Sequence, residues 1–261
     1  MVKRSTMPYR AVLRALLFAT LVLLAPSARA EDPLLPTADL VARLLPTMVR
    51  IETRKVTKVD GVDGKPATFT EKPSFGSGFI IEADGIILTN WHVIASSREI
   101  TVILDDNTRL KAEVLYRAPI DLAVLKVKAP SPLPVVIFGD SDKVRRGDTA
   151  IAIGNPLGVG VTVTKGIVSA INKGLDTSIW DDFIQIDAAL NQGNSGGPLF
   201  NDRGELIGVD SALITTGDNG GSVGLGFAIP ANDVLYILER WRKYGRVRAG
   251  CKRSAWWGEV A

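Results

Sequence analysis

The sequence predicts an all-β protein built as two barrels. Short apolar runs recur from Phe79 onward with turn residues between them, the spacing of antiparallel barrel strands. Glycine is frequent, 25 of 261 residues, while helical periodicity is confined to two stretches, one near each end. A connector with three prolines, Ala129–Pro134, divides the runs into two groups. An apolar fraction of 46% is enough for a real core in one large domain or two small ones.

Met1–Ala30 reads as a secretory leader. A basic head precedes the apolar run Ala15–Ala25, Pro26 breaks it, and Ala28-Arg29-Ala30 fits small-x-small cleavage. The mature chain then starts near Glu31, and the protein is periplasmic or secreted. The rival is an uncleaved anchor, the only route to a membrane here. Leu34–Met48 places Leu40, Val41, Leu44 and Leu45 at helical spacing. Arg54–Ser74 is polar and turn-rich, a mobile surface loop without the ligand pattern of a calcium site.

The first group of strands covers Phe79–Ile81, Gly85–Leu88, Glu99–Leu104, Arg109–Leu115 and Leu122–Val127, with a turn at Asp105-Asp106-Asn107. The second begins near Val135–Ile137 and continues through Thr149–Ile153, Val161–Thr164, Gly166–Ile171, Phe183–Ile186, Pro198–Phe200, Leu206–Ile214 and Leu225–Ile229. Asn201-Asp202-Arg203-Gly204 is a hairpin turn. Gly154–Gly158 and Gly217–Gly224 are Gly-rich without the Gly-Lys-Ser/Thr ending of a phosphate loop. Ala231–Tyr244 is a helix that Asn232 can cap, Val234, Leu235, Leu238 and Trp241 share a face, and Gly245 ends it.

The formal charge of +3 is unevenly placed. Lys3, Arg4, Arg10, Arg14 and Arg29 lie in the leader with no acid, and the rest carries 26 basic against 28 acidic residues, a net of −2. No basic stripe interleaved with aromatics marks a nucleic-acid surface. The single cysteine, Cys251, excludes an intramolecular disulfide and sits in a polar tail. No Cys/His cluster has metal-ligand spacing, and no cofactor is implied.

The chemistry gathers at Leu190–Leu199, where Ser195 stands between Gly193-Asn194 and Gly196-Gly197. A Gly-rich turn aims successive backbone N–H groups into one concavity, beside a serine hydroxyl. That pairing suits acyl transfer, and it also fits a plain turn with a solvated serine. The chain's one histidine, His92, is the only side chain whose ordinary pKa suits a general base near neutrality. Among the carboxylates Asp121 stands out at the head of an apolar strand, where a strand-starting turn is the alternative. The order His92, Asp121, Ser195 is that of one known class of triads.

These strings resemble the protease domain of the HtrA (Deg) family of trypsin-like serine proteases. The matching segments are Gly76–Ile81, Leu88–Ile94, Asp121–Lys126, Gly139–Asp142, Ala152–Gly158, Gly166–Ser169, Gln185–Asn191, Gly193–Leu199 and Gly226–Pro230, in family order from about Thr37 to Gly245. The resemblance implies a double six-stranded β-barrel closed by a C-terminal helix, occupying residues 31–245. It implies a serine endopeptidase acting on unfolded or misfolded protein without ATP, in periplasmic quality control.

By the same resemblance His92, Asp121 and Ser195 are catalytic, and Gly193, Asn194 and Ser195 form the oxyanion hole. Leu190, Leu213 and Ile214, with Ala189 nearby, would line an uncharged pocket for small or medium aliphatic residues. Asp210-Ser211-Ala212 would pair with an extended substrate. The N-terminal segment of the family helps build a trimer, which makes a homo-oligomer the implied state.

Three residues depart from common family choices: Trp91, which would narrow the cleft, Gln192 for a proline, and Asp210 for an asparagine. Residues 246–261 read as a short tail with no PDZ domain. The rival function is a holdase-type chaperone or peptide-binding module whose site is unassembled, or gated by Gly217–Gly224.

Overall fold

The computed structural model describes residues 34–59, 68–172, 182–215 and 221–246. The leader, the Asp60–Pro66 string, residues 217–220, Cys251 and the tail from residue 247 lie outside the described residues.

The first barrel closes from β1 (Met48–Val59), β2 (Thr68–Glu82), β3 (Ile86–Thr89), β4 (Ser97–Ile103), β5 (Arg109–Arg117) and β6 (Ala123–Val127), in the order β1-β2-β3-β6-β5-β4. The second contains β7 (Ile137–Phe138), β8 (Thr149–Gly154), β9 (Thr162–Asn172), β10 (Phe183–Ile186), β11 (Pro198–Phe200), β12 (Glu205–Thr215) and β13 (Ser222–Pro230). Its order is β11-β8-β9-β10-β13-β12; a β11–β12 pairing closes the ring and β7 adds a parallel edge to β12. Among the described residues three α-helices accompany the two barrels: α1 (Thr37–Leu44), α2 (Trp91–Ile94) and α3 (Ala231–Tyr244). Residues 129–134 run between β6 and β7. The fold is the double-barrel architecture of trypsin-like proteins.

Two apolar clusters fill the barrels. Val49, Ile51, Ile87, Val102 and Leu125 belong to the first, and Ala152, Ile184, Ile186, Leu199 and Ala228 to the second. A third cluster joins them, bringing Phe79 and Leu88 of the first barrel together with Ile151, Ile153 and Phe200 of the second. Leu40 and Leu44 of α1, and Val234, Ile237 and Leu238 of α3, also pack in it. Tyr116 on β5 stacks on Trp241 of α3 with ring centroids 5.6 Å apart, and Arg242 of α3 pairs with Glu82 at the end of β2. The final helix therefore clasps the first barrel although it follows the second in the chain.

Three expectations are corrected. Arg54–Ser74 is largely a long hairpin rather than a loop, since β1 and β2 stay in register from Met48↔Phe79 to Val59↔Thr68. Its outer arms extend beyond the apolar core, so polar residues occupy them and no apolar alternation announces them. Val161–Thr164 and Gly166–Ile171 are one strand, β9, running through Lys165 and Gly166. A side chain at Gly166 would meet Asp187 Oδ1 at 2.1 Å, and that oxygen accepts the Ile167 N–H at 2.7 Å.

Asn232 does not cap α3; Pro230 stands at that position. The Asn232 amide donates to Asp140 Oδ1, while its own N–H donates to Ser141 Oγ at 3.0 Å. Gly245 ends the helix with φ +69°, as expected of a C-terminal glycine.

Candidate active site

His92 lies on the one-turn helix α2, directly after β3. Asp121 sits in the β5–β6 connection at a tight turn, where the Leu122 N–H donates to the Ile120 carbonyl at 2.6 Å. The turn aims the carboxylate at α2 twice. Asp121 Oδ1 accepts the His92 backbone N–H at 2.9 Å, and Oδ2 lies 2.5 Å from His92 Nδ1. A carboxylate only accepts, so Nδ1 carries the proton and Nε2 of the neutral ring is left as the acceptor. The Asn90 amide donates to the Asp121 carbonyl at 2.6 Å, and the Ser211 hydroxyl reaches Asp121 Oδ2 at 3.4 Å from β12. The acid is thus held from both barrels.

Ser195 occupies the loop between β10 and β11, and the direction of each peptide in that loop is fixed from behind. The Gln192 carbonyl accepts from Leu157 N–H at 2.8 Å, and the Gly193 carbonyl from Ser77 Oγ at 2.7 Å. The Asn194 carbonyl accepts from Gly197 N–H at 2.9 Å. In a trans peptide the N–H points opposite to the C=O. The N–H groups of Gly193 and Ser195 are therefore turned away from Leu157 and Gly197, and neither meets an acceptor among the described residues. Both donors are left open to an oxygen from solvent or a ligand.

Gly193 and Gly196 take φ of +104° and +83°, conformations that favour glycine. The Asn194 N–H is taken up by the Asn191 carbonyl at 3.0 Å, and its buried side chain packs against Gly154. Asn194 therefore shapes the loop and does not supply a free donor.

The structure brings His92 and Asp121 together. Ser195 stands on the facing loop, and its hydroxyl makes no hydrogen bond among the described residues. Proton-transfer contacts are often long before substrate arrives. Trp91 packs half-buried against the first barrel, with the Arg117 guanidinium 4.5 Å over its ring, so its bulk is directed into that barrel's packing.

Of the residues expected to meet substrate, Ala189 is exposed and its carbonyl accepts from Thr164 Oγ1 at 3.0 Å. Leu190 is buried against Gly226, its Cδ1 2.8 Å from where a Cβ would stand there. Ser222 and Asn191 hold this stretch to β13, through Leu190 N–H to Ser222 Oγ at 3.3 Å and Ser222 N–H to Asn191 Oδ1 at 3.2 Å. Asp210, Ser211, Ala212, Leu213 and Ile214 all lie on β12, but the side chains of Ala212, Leu213 and Ile214 fall outside the described residues. Asp210 is fully buried, and neither carboxyl oxygen has a partner among the described residues. Burial pushes its carboxyl well above the usual carboxylate range.

Residue patterns did not point to Ser77, Asn155 or Leu157. The signal for Ser77 was a polar residue between two glycines ahead of an apolar run, a place where backbone packs closely. Leu157 shows in its φ of +55°, a left-handed conformation in a half-open turn. Among the described residues no group of three His, Cys, Asp or Glu could hold a metal ion, and no helix is long and apolar enough to cross a membrane.

A family model described as trypsin-like peptidase domain matches residues 76–209. A curated protein of Brucella suis biovar 1 (strain 1330), named probable periplasmic serine endoprotease DegP-like, is 48% identical over 193 residues, 73% of this chain and 37% of the relative. A protein of the same name from Rickettsia conorii is 42% identical over 241 residues, 82% of this chain and 47% of the relative. The chain thus spans less than half the length of these relatives. Among solved structures, a serine-to-alanine variant of the HtrA-type protease AlgW with a decapeptide superposes with a TM-score of 0.75 at 38% identity, covering 82% of this chain and 68% of that one.

Proposed function

The chain belongs to the trypsin-like peptidases, and within them to the HtrA type, and on that premise we propose that it is a serine endopeptidase of unfolded polypeptides. The observation that carries the reading is the pair of N–H groups of Gly193 and Ser195, which meet no acceptor among the described residues, beside the Ser195 hydroxyl. Ser195 attacks the scissile carbonyl. His92 Nε2 takes its proton and passes it to the leaving amine. Asp121 keeps the ring in the tautomer that leaves Nε2 free and stabilises the imidazolium. The two N–H groups bind the oxyanion, and each such donor lowers the barrier by roughly 3–4 kcal/mol.

An uncharged pocket at Leu190, Leu213 and Ile214, with Ala189 at its edge, selects small and medium aliphatic residues, since a basic side chain would lose its water without a partner there. Pairing of the substrate backbone with Ser211 and Ala212 requires an extended chain, which favours unfolded over native protein. Asp210 is excluded from that pairing because its carbonyl accepts the Gly196 N–H at 2.7 Å and its N–H donates to the Gly197 carbonyl at 2.9 Å. The reaction needs neither ATP nor a metal. Residues 1–30 direct the chain to the periplasm, residues 31–245 form the peptidase with its barrel boundary at 129–134, and the working state is a homo-oligomer, a trimer.

The test is digestion of an unfolded, disulfide-free protein by the full chain beside Ser195→Ala, with product termini read by mass spectrometry. Cleavage after Val, Ala, Ile or Leu that vanishes in the variant supports the reading. A chain that binds the unfolded protein yet neither cuts it nor takes up a fluorophosphonate at Ser195 is a holdase instead.

A further inference from the structure

Ser77 is fully buried on β2, where it pairs in register with Arg50 on β1, so it is fixed in the sheet of the first barrel. All of its polar groups that face the second barrel are engaged there. Its N–H donates to the Ser195 carbonyl at 3.0 Å. Its hydroxyl donates to the Gly193 carbonyl at 2.7 Å and accepts the Asn155 N–H at 2.8 Å. Its carbonyl accepts from Thr89 Oγ1 at 2.7 Å, which ties it back to β3.

The hydroxyl therefore acts on both peptides around Gly193. It holds the Gly193 carbonyl directly. Through Asn155 it anchors the turn Asn155–Gly158, whose Leu157 N–H holds the Gln192 carbonyl at 2.8 Å. The Gln192–Gly193 peptide is the one whose direction decides whether the Gly193 N–H faces the cleft. Glycine has no side chain to resist a flip of that peptide, so the restraint has to come from outside. A serine supplies it because one hydroxyl gives a proton to one group and takes one from another. Alanine would leave the Asn155 N–H and the Gly193 carbonyl buried without partners, and the loop would relax to pair them.

We propose that Ser77 is a positioning residue for the oxyanion hole: a hydroxyl of the first barrel that sets the direction of the Gly193 N–H in the second. This rests on the peptidase reading above, in which that N–H binds the oxyanion. Ser77 touches no substrate, so its loss weakens the transition state and leaves ground-state binding in place.

The experiment uses the full chain with Ser77→Ala and the near-isosteric Ser77→Cys, whose thiol bonds weakly and which carries the test if the alanine variant does not fold. Turnover is read on a fluorogenic peptide with valine before the scissile bond, and affinity on the matching peptidyl boronate, which places an oxyanion in the hole. Loss of one oxyanion donor costs roughly 10²-fold or more in kcat. We expect kcat to fall by about that factor with KM changed less than about threefold, and boronate affinity to fall in parallel. Peptide affinity in a Ser195→Ala background should be unchanged by adding Ser77→Ala. An active wild type matched in kcat by both variants overturns the assignment alone. So does a loss in which peptide and boronate affinity fall together, which is a structural tie and nothing more. A wild type that neither turns over peptide nor takes up a fluorophosphonate overturns the peptidase reading, and this assignment with it.

Discussion

Asp210 on β12 stands directly opposite Ala228 on β13, and the same row continues to Ile184 on β10. Directly paired residues of antiparallel strands project to one face, so the Asp210 carboxyl enters the apolar interior of the second barrel. Strands β8, β10, β11 and β13 carry no acidic or basic side chain, and Lys165 on β9 and Asp187 in the serine loop are exposed. The neighbouring Ser211 hydroxyl reaches Asp121 Oδ2 at 3.4 Å, and that carboxylate pairs with His92. Because burial raises the folded pKa, the native state keeps a proton that the unfolded chain releases above about pH 4. The contribution of this one group to stability therefore falls as pH rises from there to the folded pKa and is constant beyond it. Asp210→Asn has the same shape and no charge. Its melting temperature should exceed that of the wild type at pH 8, with the gap narrowing toward pH 4. A gap that does not change with pH would contradict this.

The two-point contact of Asp121 with His92 predicts a large catalytic effect and a small structural one. Asp121→Asn presents an amide where the ring N–H needs an acceptor, which favours the wrong tautomer. The expected loss in kcat/KM is about 10⁴-fold, with the circular dichroism spectrum unchanged. Fluorophosphonate labelling of Ser195 should slow in step. A labelling rate equal to that of the wild type would remove Asp121 from the mechanism.

Gly196 tests the tightness of the serine loop. With φ at +83°, an added Cβ would stand 2.3 Å from Thr89 Oγ1 and 2.4 Å from the Ser77 carbonyl. The left-handed conformation costs an L-residue roughly 1–2 kcal/mol, and overpacking adds about 1–3 kcal/mol. Gly196→Ala should lower the unfolding midpoint in urea by the equivalent of several kcal/mol and abolish turnover. A variant with wild-type activity would mean that the loop is looser than described.

Leu190 offers a test of specificity. It is buried and lies over Gly226, so it fills the space beneath the proposed pocket. Leu190→Ala opens that space at a cost of about 2–5 kcal/mol. The expected readout is a shift of cleavage sites from Val and Ala toward Leu, Met and Phe, mapped on one unfolded substrate. An unchanged map would place the pocket elsewhere.

Much of this architecture could be read in the sequence because its signals are local. Apolar runs between turn residues marked the strands, and Asn201–Gly204 marked its hairpin through side chains that bond their own backbone: Asn201 Oδ1 accepts from Arg203 and Glu205 N–H. His92 was legible because the chain has no other histidine, and Asp121 because an acid at the head of an apolar strand is unusual. The hairpin arms past Arg54 were hidden, since outside the core a strand needs no apolar alternation. The backing of the serine loop was hidden for a different reason. Ser77, Asn155 and Leu157 act through backbone groups and one hydroxyl, and a residue pattern says nothing about the direction of a carbonyl. Asn232 misled because its side chain turns to the Asp140–Ser141 turn, 91 or more positions away, donating to Asp140 Oδ1 and accepting the Ser141 N–H.

The clasp of α3 on the first barrel, through Tyr116–Trp241 and Arg242–Glu82, sets an order on biosynthesis. A chain leaving the ribosome completes the first barrel early, then the second, and only afterwards the helix that packs into the cluster joining them. His92 and Ser195 lie on opposite sides of that junction. The contacts of α3 with the first barrel are thus the last of these ties that a nascent chain can make, after both barrels have left the ribosome.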